Sequence, residues 1–137
     1  MSGGPFSAAE VAPRPRVLLI DDSEIAREVA CMVLEAAGFE VRCATTLGEF
    51  NVVLKAWSPH IVLADVNMPG VTGPELCQWI KQRVDTRSVP VVLYSDMPES
   101  RLREVAAASG ADAWVSKNRG IEHVSEMLSA MCEQIFS

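Results

Sequence analysis

The sequence predicts a doubly wound α/β domain, a five-stranded parallel sheet of order 2-1-3-4-5 flanked by five helices. Short apolar runs rich in Val, Ile and Leu recur along the chain from residue 16, as in strands buried on both faces. A helical pattern separates each run from the next, which supplies the crossover connections that parallel strands need. A length of 137 residues, of which 49% are hydrophobic, suits one domain with its own core.

Five segments carry the strand signal. They are RVLLID (16–21), EVRCAT (40–45), HIVLADV (60–66), VPVVLYS (89–95) and AWVSK (113–117). The second segment is the weakest, because it interrupts its apolar residues with polar ones. At this size the alternation favours the flavodoxin-like form of the doubly wound fold.

Five intervening segments carry apolar residues at helical spacing. These residues are Ile25, Val29 and Val33; Phe50, Val53, Leu54 and Trp57; Leu76 and Ile80; Leu102, Val105 and Ala106; and Ile121, Val124, Leu128, Met131 and Ile135. Capping residues support the boundaries of these helices. The predicted signals are Ser23 as an N-cap, Gly38 as a C-cap, Thr46 with Glu49 as a capping box, Pro74 and Pro98 in first turns, and Gly110 as a stop.

Charge and composition exclude several classes of function. The net charge is −6, with 18 acidic and 12 basic residues, so direct binding to nucleic acid or to an anionic membrane is not expected. No run of 18 apolar residues could span a membrane. Residues 1–15 are rich in Gly, Pro, Ser and Ala and lack the apolar core of a signal peptide. We expect a flexible leader over 1–15 and a single domain over 16–137.

The cysteines point to an intracellular protein. The chain has four cysteines, and their spacing forms neither a CxxC motif nor a zinc motif. Each cysteine lies in an apolar run, which favours reduced thiols packed as small hydrophobic residues in a cytoplasmic protein.

Residues with charged or hydroxyl side chains lie where the predicted strands end. Asp21 and Asp22 follow the first strand, and Asp65, Ser95 and Lys117 end the third, fourth and fifth. In this fold the carboxyl ends of the strands meet at one edge of the sheet, near the switch point where ligands bind. Carboxylates gathered there suit a hard divalent cation, and a lysine with a serine hydroxyl suits a phosphoryl group.

These motifs make the chain resemble the response-regulator receiver domains of two-component signalling, over about residues 16 to 135. The matching residues are the acidic pair Asp21 and Asp22, Asp65 in DVNMPGVTG, Ser95 at the end of strand 4, and Trp114 and Lys117 in GADAWVSK. The resemblance implies that Asp65 is the phospho-acceptor, taking a phosphoryl group from a sensor histidine kinase or a histidine phosphotransfer protein. Such a domain is a phospho-accepting signalling module rather than an enzyme.

The resemblance also implies a cofactor and a switch. Mg²⁺ or Mn²⁺ would be held by Asp22, Asp65 and the backbone carbonyl of Asn67, with Asp21 acting largely through water. Lys117 would neutralise phosphoryl charge. The switch residues Ser95 and Trp114 would then follow the phosphoryl group and repack the face formed by helix 4, strand 5 and helix 5. That face implies a downstream target, whose identity the sequence leaves open, and a weak or phosphorylation-dependent homodimer.

Two positions depart from the receiver pattern. Asn118 follows Lys117 where receivers usually have proline, so we expect a trans peptide bond and an altered loop there. Asp96 follows Ser95 where a small residue is usual, and either repels phosphoryl groups or points to solvent and caps helix 4. Helix 5 carries Glu122, Glu126 and Glu133 without Lys or Arg, unlike the charged dimer face of receivers linked to winged-helix domains.

Three alternatives share parts of this pattern. A flavodoxin-type electron carrier has the fold, but the Asp21–Asp22 pair would repel the flavin phosphate. A haloacid-dehalogenase-type hydrolase needs Asp-x-Asp after the first strand, and the sequence DDS lacks it. A receiver-like docking module that works without phosphorylation is the remaining alternative.

Overall fold

The predicted topology is confirmed. The computed structural model of the protein describes residues 14–67 and 72–135, and its sheet is parallel with the order β2-β1-β3-β4-β5. The strands are β1 (Arg16–Ile20), β2 (Glu40–Ala44), β3 (Ile61–Asp65), β4 (Val91–Ser95) and β5 (Ala113–Ser116). The helices are α1 (Glu24–Ala36), α2 (Leu47–Trp57), α3 (Gly73–Gln82), α4 (Glu99–Ser109) and α5 (Ile121–Ile135). Residues 1–13 of the leader predicted over 1–15, and the Met-Pro-Gly turn at 68–70, lie outside the described residues.

The sheet is buried on both faces, as its continuous apolar runs predict. Leu18 and Ile20 of β1 face one core with α2, α3 and α4, whereas Val17 and Leu19 face a second core with α1 and α5. Strands β1 and β3 lie at the centre, and their parallel register pairs Ile20 with Ala64. The residues that follow these two strands therefore emerge side by side at one edge of the sheet.

Helix α1 forms where predicted, but it buries a different face. The repeat of Ile25, Val29 and Val33 suggests one apolar stripe, yet the buried residues are Ala30 and Leu34. Ile25 is 76% exposed and Val29 is 43% exposed. Contact with the sheet selects Ala30 and Leu34, and part of the apolar repeat is left facing outward.

Side-chain caps define the starts of the first three helices. The Ser23 hydroxyl accepts a hydrogen bond from the Ala26 N–H at 3.2 Å. Of the two hydrogen bonds of the capping box predicted at α2, only one is present. The Thr46 hydroxyl accepts from the Glu49 N–H, but the Glu49 carboxylate accepts from Thr45 instead of from the Thr46 N–H. A complete capping box occurs instead at α3, where Thr72 and Glu75 bond each other reciprocally.

The glycine and proline signals are largely confirmed. Gly110 ends α4 with a left-handed φ of 81°, and Gly38 follows α1 with a φ of 101°. Pro74 lies in the first turn of α3, whereas Pro98 is the N-cap of α4, just before the first turn predicted for it. Among the helices the structure describes, none is both long and apolar enough to cross a membrane.

Candidate functional site

Three aspartates meet at the carboxyl edge of β1 and β3. Asp21 and Asp22 follow β1 directly, and Asp65 is the last residue of β3. One carboxylate oxygen from each residue lies within 4.8 Å of the other two. Unit charges about 4 Å apart repel by roughly 4 kcal/mol at an effective dielectric of about 20. Such a cluster therefore needs compensating positive charge.

Lys117 supplies part of that charge. Its Nζ lies 3.4 Å from Asp21 Oδ2 and 3.4 Å from Asp65 Oδ2, so one ammonium bridges the two buried aspartates. The same Nζ lies 4.5 Å from the centre of the Tyr94 ring, within the range of a cation–π contact. Lys117 is thus held in the site from two sides, although its side chain remains 28% exposed.

Asp21 is fully buried and already engaged with the protein. Its Oδ1 accepts a hydrogen bond from the Ser23 N–H at 2.9 Å, and its Oδ2 accepts one from the Tyr94 hydroxyl. Burial alone would raise the pKa of Asp21, but the bonds from Tyr94 and Ser23 and the charge of Lys117 hold the pKa below its usual value. Asp21 is therefore an ionised group with both oxygens occupied.

The surroundings of Asp65 raise its pKa, whereas those of Asp21 lower it. It is 6% exposed, and its Oδ1 accepts a hydrogen bond from the Asn67 N–H at 3.2 Å. Burial raises the pKa of Asp65 and the neighbouring charge of Asp21 adds to the rise, whereas Lys117 opposes it. The ionised form of this carboxylate is thus poorly stabilised by the protein alone, and it gains from any further cation beside it.

Asp22 is the carboxylate that remains free for such a cation. Its side chain is exposed, and it makes no hydrogen bond or ion pair within residues 14–67 and 72–135. Carboxylate oxygens are the ligands that Mg²⁺ prefers. Three carboxylates with one lysine leave a surplus of negative charge at the site, so the residues present fit a hard divalent cation.

The sequence comparison identifies the family. The family model described as the response regulator receiver domain matches residues 17–129. The chain belongs to the response regulator receiver family. Receivers of this family interact with histidine kinases in two-component signalling, and the carboxylate cluster of this receiver lies at the fold's ligand-binding edge.

Individual relatives agree with this assignment. The receiver is 30% identical over 117 residues to the phosphate regulon transcriptional regulatory protein PhoB of Rhizobium meliloti, covering 85% of this chain and 52% of PhoB. It is 32% identical over 130 residues to the gliding motility regulatory protein of Myxococcus xanthus, covering 93% of this chain and 16% of that protein. The chain thus spans about half, or less, of these curated relatives.

A solved structure supports the fold. The chemotaxis protein CheY4 of Vibrio cholerae superposes with a TM-score of 0.78 at 24% identity, covering 86% of this chain and 98% of the other. At this identity the likeness concerns the arrangement of strands and helices alone. That arrangement agrees with the order of strands in this receiver.

Ser95, predicted as a switch residue of this receiver, ends β4 in a buried position. Its register partner is Ser116, the residue before Lys117, so Ser95 lies at the same edge as the aspartates. The Ser95 hydroxyl accepts a hydrogen bond from the Met97 N–H at 3.1 Å. In this bond the hydroxyl oxygen is the acceptor, so the hydroxyl proton of Ser95 remains available to donate to a phosphoryl oxygen.

Trp114, the predicted switch aromatic, is half-buried on β5. Its ring packs against the core shared by α2, α3 and α4, and the Arg103 guanidinium of α4 lies 5.5 Å from the ring centre. An open groove beside the ring is lined by residues of α4, β5 and α5, among them Glu99 and His123. The ring therefore has space on one side and a cation on the other.

The two departures from the receiver pattern are neighbours in the structure. The peptide bond between Lys117 and Asn118 is trans, as predicted, and Lys117–Arg119 forms a 3-10 turn. The Asn118 side chain donates to the Asp96 carbonyl at 3.2 Å, which ties the loop after β5 to the loop after β4. Asp96 is exposed, and α4 has no side-chain cap, so the capping role considered for Asp96 is wrong.

Two residues of the site escaped the sequence analysis. Tyr94 is the one aromatic residue of β4, and its phenol beside Ser95 at the strand end is a signal that the sequence carries. Gly73, the first residue of α3, lies so close to β3 that a Cβ there would be 2.4 Å from the Asp65 carbonyl oxygen. Only the structure reveals this approach, because Asp65 belongs to a strand and Gly73 to a helix, and the distance between the two elements cannot be read from either sequence pattern.

Proposed function

We propose that this receiver accepts a phosphoryl group on Asp65 from a phosphohistidine of a sensor histidine kinase or a histidine phosphotransfer protein. One observation carries the proposal: Asp65 shares its carboxylate cluster with Asp21 and Asp22, and Lys117 Nζ lies 3.4 Å from its Oδ2. The receiver would extend over residues 16–137, with 1–15 as its leader. As a partner of a kinase, it would act in the cytoplasm.

The chemistry is a transfer between two nucleophiles. An oxygen of the Asp65 carboxylate forms a bond to phosphorus, and the bond from phosphorus to the partner's histidine nitrogen breaks. Lys117, already beside Asp65, offsets negative charge on the phosphoryl oxygens. Mg²⁺ or Mn²⁺, held by Asp22, Asp65 and the Asn67 carbonyl, would supply further positive charge. Asp21, whose oxygens accept from Tyr94 and Ser23, would act on the ion through water.

The surface beside the site suits a protein donor. Helix α1 starts two residues after Asp22 and exposes Ile25 and Met32, at 76% and 68%. A groove of about 280 Å³ between α1 and α5 is lined by Ala26 and Val29 of α1 and by Lys117 of the site. A partner that brings phosphohistidine to Asp65 must cover the rim of the site, and apolar side chains there favour such contact.

Phosphorylation would act on the opposite flank of the site. Ser95 would donate its hydroxyl proton to a phosphoryl oxygen, and the loop after β4, which is tied to the Ser95 oxygen by the Met97 N–H, would move with it. Trp114 can then turn away from Arg103. This movement repacks the face of α4, β5 and α5, where an unidentified downstream target would dock or a weak homodimer would form.

The proposal is tested by phosphorylating the purified protein with acetyl phosphate and Mg²⁺. We expect intact mass spectrometry to show a gain of one phosphoryl group that hydroxylamine removes, as it does from an acyl phosphate. The same protein with EDTA should gain far less. A folded protein that gains no phosphoryl group from acetyl phosphate or from any histidine phosphotransfer protein would favour the alternative, a docking module that works without phosphorylation.

Asp22→Asn tests the metal site without any phosphoryl transfer. In the wild type, Mg²⁺ should raise the melting temperature by mass action, because only the folded state assembles the carboxylates. The variant should lose most of this rise, since it lacks the carboxylate left free for the ion. Asp85→Asn is the matched control: Asp85 is exposed in the loop before β4, where it pairs with Arg83. Wild-type melting that ignores both Mg²⁺ and EDTA would refute the site.

Asp96→Asn tests whether the unusual acidic residue repels the donor. The substitution keeps the shape and removes one negative charge next to Ser95. If the charge acts on the site, phosphorylation by acetyl phosphate should accelerate roughly twofold to fivefold at low salt. The gain should shrink at high salt, because the Debye length is about 8 Å at physiological ionic strength. An unchanged rate at every salt concentration would mean that solvent screens the exposed Asp96 completely.

A further inference from the structure

Two of the four cysteines lie against each other. Cys31 on α1 and Cys43 on β2 place their sulfur atoms 3.0 Å apart, and both residues are half-buried. The other two, Cys77 and Cys132, are buried and belong to two different cores. In the sequence all four cysteines lie in similar apolar runs, so only the tertiary structure distinguishes this pair.

The position of the pair favours bond formation. A disulfide requires a sulfur separation of about 2.05 Å, so the two sulfur atoms need to approach by only about 1 Å. Cys43 lies on β2, an edge strand of the sheet, and pairs in register with Leu19. An edge strand and the helix packed on it can adjust by this amount without disturbing the central strands.

We propose that Cys31 and Cys43 form a redox-modification site, which a hydroperoxide converts to an intrachain disulfide. The Cys31 thiolate attacks the peroxide oxygen, which gives a sulfenic acid on Cys31 and releases hydroxide or an alkoxide. The Cys43 sulfur then displaces the hydroxyl group from the Cys31 sulfur. The proton of Cys43 leaves with that hydroxyl group as water, and two electrons in all pass to the peroxide.

The roles of the two sulfur atoms follow from their surroundings. Burial raises the pKa of the Cys43 thiol to about 12, and its contact with Cys31 adds to this effect. Cys43 therefore remains a protonated thiol until it meets an oxidised partner, which assigns the first attack to Cys31. Intracellular disulfides of this kind are usually transient and report redox conditions rather than stabilise a fold permanently.

The bond would link α1 to the edge strand. It closes a short loop, residues 31–43, and constrains the unfolded chain, so the melting temperature should rise by about 10 °C on oxidation. Helix α1 begins two residues after Asp22 and exposes Ile25 and Met32. Oxidation thus fixes the position of the helix that borders the carboxylate cluster. The disulfide itself can form whether or not Asp65 accepts a phosphoryl group.

The experiment treats the metal-free full chain with hydrogen peroxide and measures its intact mass and its non-reduced peptide map. We expect a loss of two hydrogen atoms, one peptide link between Cys31 and Cys43, and full reversal by dithiothreitol. Cys31→Ala and Cys43→Ala should each abolish the link. Cys132→Ala, the control, should retain it.

Three outcomes would overturn the proposal. They are an unchanged mass under peroxide, a gain of oxygen atoms without a link, and a link that joins other cysteines or two chains. The peptide map of the wild type decides among these results by itself, so the conclusion survives if one alanine variant fails to fold. A melting temperature that rises on oxidation of the wild type, and falls back with dithiothreitol, supports the same pair.

Discussion

Asp65→Asn should abolish the gain of a phosphoryl group from acetyl phosphate. The amide has nearly the shape of the carboxylate, so the Oδ1 contact with the Asn67 N–H can persist. Its neutral oxygen is a far weaker nucleophile than a carboxylate. Intact mass spectrometry after incubation with Mg²⁺ should show the unmodified variant at times when the wild type is largely converted, a difference of at least a hundredfold in rate.

The fold of this variant should survive the change. Burial raises the pKa of Asp65, so its ionised form is disfavoured in the folded protein, and removing the charge should leave the metal-free variant at least as stable. Asp96→Asn is the matched control, because it removes a nearby charge from an exposed residue outside the cluster. That control must still gain a phosphoryl group. An undiminished gain in Asp65→Asn would mean that another residue is the acceptor.

Gly73→Ala should destabilise the protein by about 3 kcal/mol or more. The added Cβ would lie 2.4 Å from the Asp65 carbonyl oxygen and 3.1 Å from the Val66 Cα. Both neighbours belong to backbone at the end of a buried central strand, so neither can rotate away as a flexible side chain could. Urea unfolding should show a lower midpoint, and the surviving folded protein should be phosphorylated more slowly because the Asp65 backbone has shifted.

Gly48→Ala provides the control for the glycine substitution. Gly48 lies in α2, and the nearest atom to an added Cβ is Thr46 Oγ1 at 3.9 Å, an ordinary contact. Alanine favours helix over glycine by up to about 1 kcal/mol, so this variant should be unchanged or slightly more stable. If Gly73→Ala unfolds at the wild-type midpoint, the close approach of α3 to β3 is not rigid and the predicted cost is wrong.

Much of this protein follows from local patterns in its sequence. Continuous apolar runs such as VLLI in β1 and IVLA in β3 identify strands buried on both faces, and those strands lie where predicted. In a parallel doubly wound sheet the strand ends share one edge, so the aspartates and Lys117 could be assigned to a common site without coordinates. The parallel direction of the strands is enough to bring these residues to the same edge of the sheet.

The tertiary structure decided the features that depend on how surfaces meet. The buried face of α1 is set by its contact with the sheet, which selects Ala30 and Leu34 and leaves Ile25 exposed, although all three are apolar. The Glu49 carboxylate accepts from the Thr45 N–H and hydroxyl rather than from the Thr46 N–H, because a flexible side chain can reach either of two adjacent donors. Periodicity reports that a helix is amphipathic, but not which of several apolar residues will contact its neighbour.

The same distinction separates what could be predicted of the site from what could not. Strand ends placed Asp21, Asp65 and Lys117 together, because each position follows from where a strand stops. The bond from Tyr94 to Asp21 and the contact between Cys31 and Cys43 join residues on different elements. Such pairs depend on side-chain direction and on the spacing between helix and sheet, and these are settled only when the elements pack together.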